Sequence, residues 1–261
     1  MPDITTTTLL LLLLAALAAG WVDSVVGGGG LIQLPALLIA FPTAAPIHLL
    51  ATNKMASIAG TTTSSITYWR RVRPDWRTAV ALAVPAFAGA IAGSIIASHI
   101  PRSAFNPIIL AALVAVFVYT LRQPDLGDET ELRYRGHRHL VTAGIAGFAI
   151  GVYDGALGPG TGSFLVFAMV GLMGYAFLEA SAKAKVANFA TNLASLVVFL
   201  PQGAGYWKLG VAMACANVAG GYLGARTAVA KGSGFVKVVF LVVVSAFICK
   251  LGYDVVVQFA R

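Results

Sequence analysis

The chain repeats itself at a constant offset of 131 residues, as in the step from Lys54 to Lys185. Each copy carries a glycine-rich break inside apolar sequence, at 27–30 in the first copy and at 158–162 in the second. Each copy then places its lysine inside a later apolar segment. Duplicated breaks of this kind are typical of transporters whose substrate site lies between two structural repeats. The repeat therefore predicts two similar halves that build one site together.

Composition places both halves in a membrane. Hydrophobic residues make up 58% of the chain and charged residues 11%, against about 25% charged residues in a soluble domain. Runs such as 76–98, 105–121 and 235–257 reach the roughly 20 residues that a spanning helix needs. The sequence therefore predicts an all-α polytopic membrane protein in contact with membrane lipid. The net charge of +8 does not indicate a nucleic-acid partner, because the basic residues lie mostly between apolar segments, where they set orientation.

The apolar stretches divide the chain into two repeats of about five helical segments each. The first repeat covers 1–121 and the second covers 139–261, with a polar connecting loop at 122–138. The first two stretches of each repeat meet at glycines, and 31–41 is too short to cross about 30 Å at about 1.5 Å per residue. We therefore predict that these first two segments are short, broken or re-entrant.

Loop charge predicts that the two repeats are inverted. Arg70, Arg71 and Arg73 crowd the loop after the third stretch, which should therefore be cytoplasmic, as should the connecting loop. The equivalent loop at 201–207 contains no arginine, which is expected if it faces the other side. In the alternative topology, the first two segments of each repeat together form one membrane span, which gives eight spans and parallel repeats.

Two GxxxG pairs occupy equivalent positions, Gly89 with Gly93 and Gly220 with Gly224. Small residues at this spacing let helix backbones approach closely in lipid. We therefore predict that both pairs pack helices together rather than contact substrate.

The glycine clusters are candidates for an anion site. A glycine-rich turn that leads into a helix leaves main-chain N–H groups free, and the helix dipole adds positive potential there. The alternative is that the glycines only permit tight turns. The candidate substrate-binding residues at the two breaks are Gly28, Gly29, Gly30, Gln33, Gly160, Thr161, Gly162 and Ser163.

Each lysine begins a polar stripe along one face of a helix. The positions 54-57-61-64 and 185-188-192-195 follow the helical spacing i, i+3, i+7, i+10. An ammonium in hydrocarbon costs at least about 3 kcal/mol, so we expect both lysines to face a polar interior; the alternative is that they snorkel to the surface. The candidate substrate-binding residues on these stripes are Asn53, Lys54, Ser57, Thr61, Lys185, Asn188, Thr191 and Asn192.

Two carboxylates hold equivalent positions, Asp23 before Gly27 and Asp154 before Gly158. An intramembrane carboxylate can pair with a lysine, cap a broken helix or carry a coupled proton. The sequence leaves these three roles open.

Signatures of enzymes are missing. The chain contains no HExxH spacing and no Gly-x-Ser-x-Gly motif, which zinc proteases and hydrolases need. Cys215 and Cys249 lie within apolar runs, where packing is the simpler interpretation. We therefore expect no enzymatic activity, no cofactor and no metal. The expected partner is a small anion, with a coupled proton as an option, and the oligomeric state stays open, with a homodimer among the choices.

The duplicated glycine element resembles that of a known family. It comprises Gly20, Asp23, Gly27-Gly28-Gly29-Gly30 and Pro35, and it returns as Gly151, Asp154 and Gly158-Pro159-Gly160-Thr161-Gly162. Segments rich in Thr, Asn, Lys and Ser follow, at 51–65 and 182–195. This pattern resembles the TauE/SafE sulfite exporter family, also called the toluene sulfonate uptake permease family. Pro159 interrupts the second glycine cluster and no proline matches Pro35, so we expect an asymmetric site.

The resemblance implies a secondary transporter for sulfur-containing anions in the bacterial inner membrane. Sulfite and organosulfonates are the class of substrate that it suggests, and sulfur enters from the resemblance alone. Combined with the predicted anion site between two repeats, it predicts alternating access around a midplane site. An anion channel and a transporter of carboxylate anions remain the alternatives.

Overall fold

The structure is a computed structural model that describes residues 4–97, 102–122 and 126–259. Within these ranges the chain is helical and contains no strand, which confirms the all-α prediction. The predicted segment end at 98 and the part of the connecting loop at 123–125 lie outside the described residues. The helices are α1 Thr6–Val26, α2 Gly30–Ala40, α3 Pro46–Val72, α4 Trp76–Ile96, α5 Arg102–Leu121, α6 Gly136–Ala156, α7 Thr161–Phe167 with a π turn at Ala168–Leu172, α8 Phe177–Phe199 with a 3₁₀ turn at Leu200–Gln202, and α9 Trp207–Phe259.

Four of the described helical segments are long and apolar enough to cross a membrane. They are Thr6–Val26, Trp76–Ile96, Phe177–Gln202 and Trp207–Val257. Large apolar side chains such as Ile39, Ile145 and Val256 point outward and expose most of their surface, as lipid-facing residues do. The protein is therefore a multi-pass membrane protein.

The helix breaks fall at the predicted glycines. Gly27 and Gly28 have φ values of 78° and 93° between α1 and α2, and Gly158 and Gly160 have 87° and 86° between α6 and α7. Positive φ of this size ends a helix and favours glycine. Only the second helix of each pair is short, with 11 residues in α2 and 7 in α7; α1 and α6 each have 21 residues. The first helices are longer than predicted because each stays helical up to the first glycine of its break.

The fourth helix of each half packs against the first helix of the other half. The fourth helix of the first half, α4, packs against α6. Helix α9 bends at Gly232, and its first part, before this bend, is the equivalent of α4 and packs against α1. A methyl group on Gly93 would overlap the carbonyl oxygen of Val152, and one on Gly220 would overlap that of Leu17. The same holds for Gly89 against Phe148 and for Gly224 against Trp21. Both GxxxG pairs therefore pack helices, as predicted, and they join one half to the other.

Candidate functional site

The two glycine-rich breaks touch each other inside the protein. A methyl group on Gly162 would lie 2.6 Å from the Cα atom of Gly27, and one on Gly27 would overlap the main chain of Gly162 and Ser163. No larger residue fits at this crossing without moving the backbone. The breaks therefore bring the starts of α2 and α7 to one point, where residues from both halves surround a small space.

That space is a polar cavity with a volume of about 20 Å³, which holds roughly one water molecule. Residues from α1, α3, α6 and α8 line it together with both breaks. The lining residues are Asp23, Gly28, Gly30, Asn53, Lys54, Ser57, Asp154, Gly158, Gly160, Thr161, Gly162, Asn188 and Asn192. Twelve of these thirteen residues were predicted from the sequence, ten as binding residues together with Asp23 and Asp154, and Gly158 is the remaining one.

Two buried ion pairs cross between the halves at this cavity. Lys54 Nζ lies 2.6 Å from Asp154 Oδ2, and Lys185 Nζ lies 3.0 Å from Asp23 Oδ2. Each pair joins the lysine of one repeat to the aspartate of the other. Both lysines are buried, so the alternative that they snorkel to the surface is wrong. Both aspartates pair with lysines, which was one of the three roles that the sequence left open.

Further hydrogen bonds hold the two carboxylates in place. The Thr161 hydroxyl donates to Asp154 Oδ1 at 2.6 Å. Asp23 is held more loosely, by the Asn188 amide and the main-chain N–H of Gly29, each at 3.4 Å. Lys185 also donates to the main-chain carbonyl oxygen of Asp23. Asp154 is therefore the more firmly bound carboxylate, and Asp23 is braced through Lys185.

Three buried polar side-chain atoms near the crossing have no hydrogen-bond partner within the described residues. They are Asn53 Oδ1, Asn192 Nδ2 and Ser163 Oγ. Asn53 and Asn192 line the cavity, and all three residues are almost fully buried. Buried polar groups are usually paired with protein, water or ligand. These atoms therefore mark the cavity as a place where a polar ligand can bind.

Several predicted binding residues lie outside the cavity lining. Thr61 and Thr191 donate back to carbonyl oxygens of their own helices. Gly29, Ser163 and Lys185 lie behind the lining, close to residues that form it.

Gln33 belongs to a separate buried bridge that the sequence did not reveal. Its amide nitrogen donates to the carbonyl oxygen of Asn53 at 3.3 Å, and its Oε1 accepts from Asn217 Nδ2 at 2.9 Å. Asn217 also donates to the carbonyl oxygen of Ala16 at 3.0 Å. The amide of Asn217 inside the apolar helix α9 is a signal that could have indicated this role. The residue equivalent to Asn217 in the first repeat is Ala86, so the repeat did not point to it.

One surface depression has different surroundings from the positions that correspond to it in the sequence repeat. The depression has a volume of about 540 Å³, and its lining includes Thr8, Ala44, His48 and Tyr206. Two of the repeat equivalents of these residues, His139 and Tyr175, are buried and hydrogen-bonded to each other. His139 Nε2 lies 2.8 Å from the Tyr175 hydroxyl and 3.2 Å from that of Thr78. In the 131-residue repeat, Thr8, Ala44, His48 and Tyr206 correspond in that order to His139, Tyr175, Glu179 and Asp75.

The connecting loop is hydrogen-bonded to the segment between α7 and α8. The main-chain N–H of Glu131 donates to Gly174 at 2.8 Å, and that of Phe177 donates to Gly127 at 2.8 Å. The Thr130 hydroxyl accepts from the N–H of Ala176 at 2.9 Å. The loop is therefore an ordered cover over the connection between α7 and α8.

Asp75 caps the start of α4. Partial burial raises the pKa of Asp75, but hydrogen bonds from the Thr78 hydroxyl and from the N–H groups of Thr78 and Arg77 outweigh it. The pKa of the carboxyl is therefore held below its usual value. Asp75 stays ionised at neutral pH and stabilises the helix N-terminus.

Duplicated helix breaks and buried charges that meet between two related halves are typical of membrane transporters. The chain belongs to the sulfite exporter TauE/SafE family, whose sequence model matches residues 12–251. This confirms the resemblance seen in the sequence.

Three relatives carry names of the same class. The chain is 35% identical over 235 residues to the probable membrane transporter protein ORF9 of Sinorhizobium sp., covering 90% of this chain and 88% of that protein. It is 32% identical to a probable membrane transporter protein of Haemophilus influenzae, covering 90% of each chain. It is also 32% identical to the probable membrane transporter protein YfcA of Escherichia coli K12, covering 90% of this chain and 86% of that one. No solved structure matches the chain.

Proposed function

We propose that this protein is a secondary transporter that moves small sulfur-containing anions of the sulfite or organosulfonate class across the bacterial inner membrane. The observation that carries the proposal is the cavity at the crossing of the two breaks. It offers the Lys54 ammonium, and the Asn192 side chain supplies a buried amide nitrogen that can donate to an anion and has no partner among the described residues. The description of the family as sulfite exporters supports sulfur as the element that the anion contains.

Cavity size favours a carrier over an open channel. About 20 Å³ holds roughly one water molecule, so a sulfonate group needs the surrounding helices to move apart. The depression beside Tyr206 and the buried hydrogen bonds of His139 at the equivalent positions support alternating access. In that mechanism the two regions would exchange roles, and the cover formed by Glu131 and its neighbours would detach from Gly174.

Helix directions support the predicted inversion of the repeats. Gly147, Gly151 and Gly155 of α6 face Leu82, Ala86 and Ala90 of α4 in the same order, so these two helices run parallel. By the same criterion α1 and α3 run parallel to the first part of α9: Leu17 and Trp21 of α1 face Gly220 and Gly224, and Met55 and Gly60 of α3 face Gly210 and Gly221. Three residues join α3 to α4, and two spanning helices joined so closely run in opposite directions. It follows that α1 and its equivalent α6 point opposite ways.

Cysteine labelling tests this topology at two equivalent loop positions. Arg71→Cys and Gln202→Cys, each in a background without Cys215 and Cys249, place exposed thiols after α3 and α8. We expect a membrane-impermeant maleimide to label Gln202→Cys in intact cells and Arg71→Cys only after permeabilisation, because arginine-rich loops stay cytoplasmic. Labelling of both thiols from the same side would contradict the inverted arrangement.

A ligand screen tests the proposed substrate class. We expect sulfite, thiosulfate, sulfoacetate or another sulfonate to raise the unfolding temperature of the purified protein, because a ligand that binds only the folded state stabilises it by about 2.7 kcal/mol at 100 times its Kd. The same anion should enter proteoliposomes at a rate that saturates. Stabilisation by carboxylates alone would refute the assignment to sulfur compounds. Flux that never saturates would favour a channel.

A further inference from the structure

The ionic groups at the cavity have no net charge. Lys54 and Lys185 are each paired with one carboxylate, that of Asp154 and that of Asp23. If a monovalent anion enters, as the proposed function requires, one negative charge is left without compensation. Uncompensated charge is costly in a buried site within a membrane. Anion binding here therefore calls for one added positive charge.

The two ion pairs are equivalent in the repeat but differ in their surroundings. Lys54 lines the cavity, and among the described residues Asp154 is the one acceptor of its ammonium. Lys185 lies behind the lining with a fully buried side chain, and it donates to both the main-chain carbonyl oxygen and the carboxylate of Asp23. Lys54 can therefore change partner at the cavity, whereas Lys185 is held twice.

Asp154 can take up a proton and keep its position. Its Oδ2 accepts from Lys54, and its Oδ1 accepts from the Thr161 hydroxyl at 2.6 Å. A hydroxyl both donates and accepts, so Thr161 can hold the carboxyl group in either protonation state. The ionisable groups near Asp154 are Lys54 on α3, Tyr153 on α6, Asp23 on α1 and, behind Asp23, Lys185 on α8.

We propose that Asp154 binds the proton that is transported together with the anion, a step that rests on the transport function proposed above. A proton from solvent adds to the Asp154 carboxylate, which frees the Lys54 ammonium to bind the anion. Loss of the proton on the other side restores the Lys54–Asp154 pair and expels the anion. One proton accompanies each monovalent anion, no net charge crosses the membrane, and the Asp23–Lys185 pair stays closed.

Proteoliposomes that contain the full chain test this with isotope-labelled methanesulfonate, which stays monovalent across the working pH range. With the outside about one pH unit more acidic than the inside, the vesicles should accumulate the anion about tenfold at equilibrium. Each anion moves with one proton, and a tenfold concentration ratio corresponds to about 1.4 kcal/mol. A membrane potential set with potassium and valinomycin should leave this accumulation unchanged.

Variants at the two equivalent aspartates separate their roles. Asp154→Asn should still exchange labelled for unlabelled methanesulfonate, but its accumulation ratio should fall from about tenfold to about one. Asp23→Asn should transport more slowly and keep the tenfold ratio. Asp154→Glu retains a carboxyl group and should restore accumulation, which shows that the site is folded.

Each outcome points to a different conclusion. Accumulation in the wild-type protein that follows the membrane potential instead of the pH gradient would overturn proton coupling, whether or not the variants fold. Gradient-driven accumulation in Asp154→Asn, or its loss in Asp23→Asn alone, would overturn the assignment to Asp154. If the wild-type protein shows no saturable uptake of methanesulfonate, sulfite or sulfoacetate, the proposed transport function itself fails.

Discussion

Lys54→Met is expected to lower the free energy of unfolding by roughly 3–5 kcal/mol, the range seen when one partner of a buried ion pair is removed. Asp154, whose side chain is 1% exposed, would keep its charge without a partner or would have to take up a proton. The unfolding temperature of the purified protein in detergent measures the loss.

A double variant and a second lysine serve as controls. Lys54→Met with Asp154→Asn should regain much of the lost stability, because no buried charge is then left unpaired. Lys183→Met should cost less than Lys54→Met, although Lys183 is equally buried, because its partner Glu179 is 42% exposed and stays solvated. If the single and double variants at the cavity unfold at the same temperature, Lys54 and Asp154 do not depend on each other for stability.

Gly27→Ala should cause a loss of similar size for a steric reason. Gly27 has a φ of 78°, and an alanine in this left-handed region costs about 1–2 kcal/mol. The added methyl group also overlaps the main chain of Gly162, and overpacking typically costs about 1–3 kcal/mol more. Backbone atoms cannot rotate away as a side chain can. We expect a large fall in unfolding temperature, together with loss of anion binding.

Gly232→Ala is the matched control for this steric effect. Gly232 has nearly the same φ, 76°, at the bend inside α9, and nothing lies within 4 Å of an added methyl group. This variant should show the backbone cost alone, measured as a smaller shift of the unfolding temperature. Equal shifts in Gly27→Ala and Gly232→Ala would mean that the contact between the two breaks contributes little.

Much of the candidate site could be predicted from the sequence because its residues stand out in apolar surroundings. A lysine, an aspartate or a glycine cluster in a membrane helix needs a special reason, and the constant offset between Lys54 and Lys185 pairs each signal with its equivalent. Asn217 was missed because its equivalent is an alanine, so the repeat gave no second signal there.

The partners of the charged residues could not be predicted. Helical spacing relates positions along one helix, such as Lys54 and Ser57, but it says nothing about which aspartate lies opposite. The sequence left pairing, capping and proton transfer open for Asp154. Packing between the halves decided the pairing: the two lysine helices, α3 and α8, pack against each other, and each lysine reaches the aspartate of the other repeat.

The sequence by itself determined a helical membrane protein of two related halves, since apolar length and the 131-residue offset are properties of single segments. It also determined where the helices break, because glycine clusters act locally on the backbone. Only the tertiary structure decided that the breaks cross at Gly27 and Gly162 and that the ion pairs run between the halves. Such contacts depend on close packing between distant segments, which the order of residues along one helix does not encode.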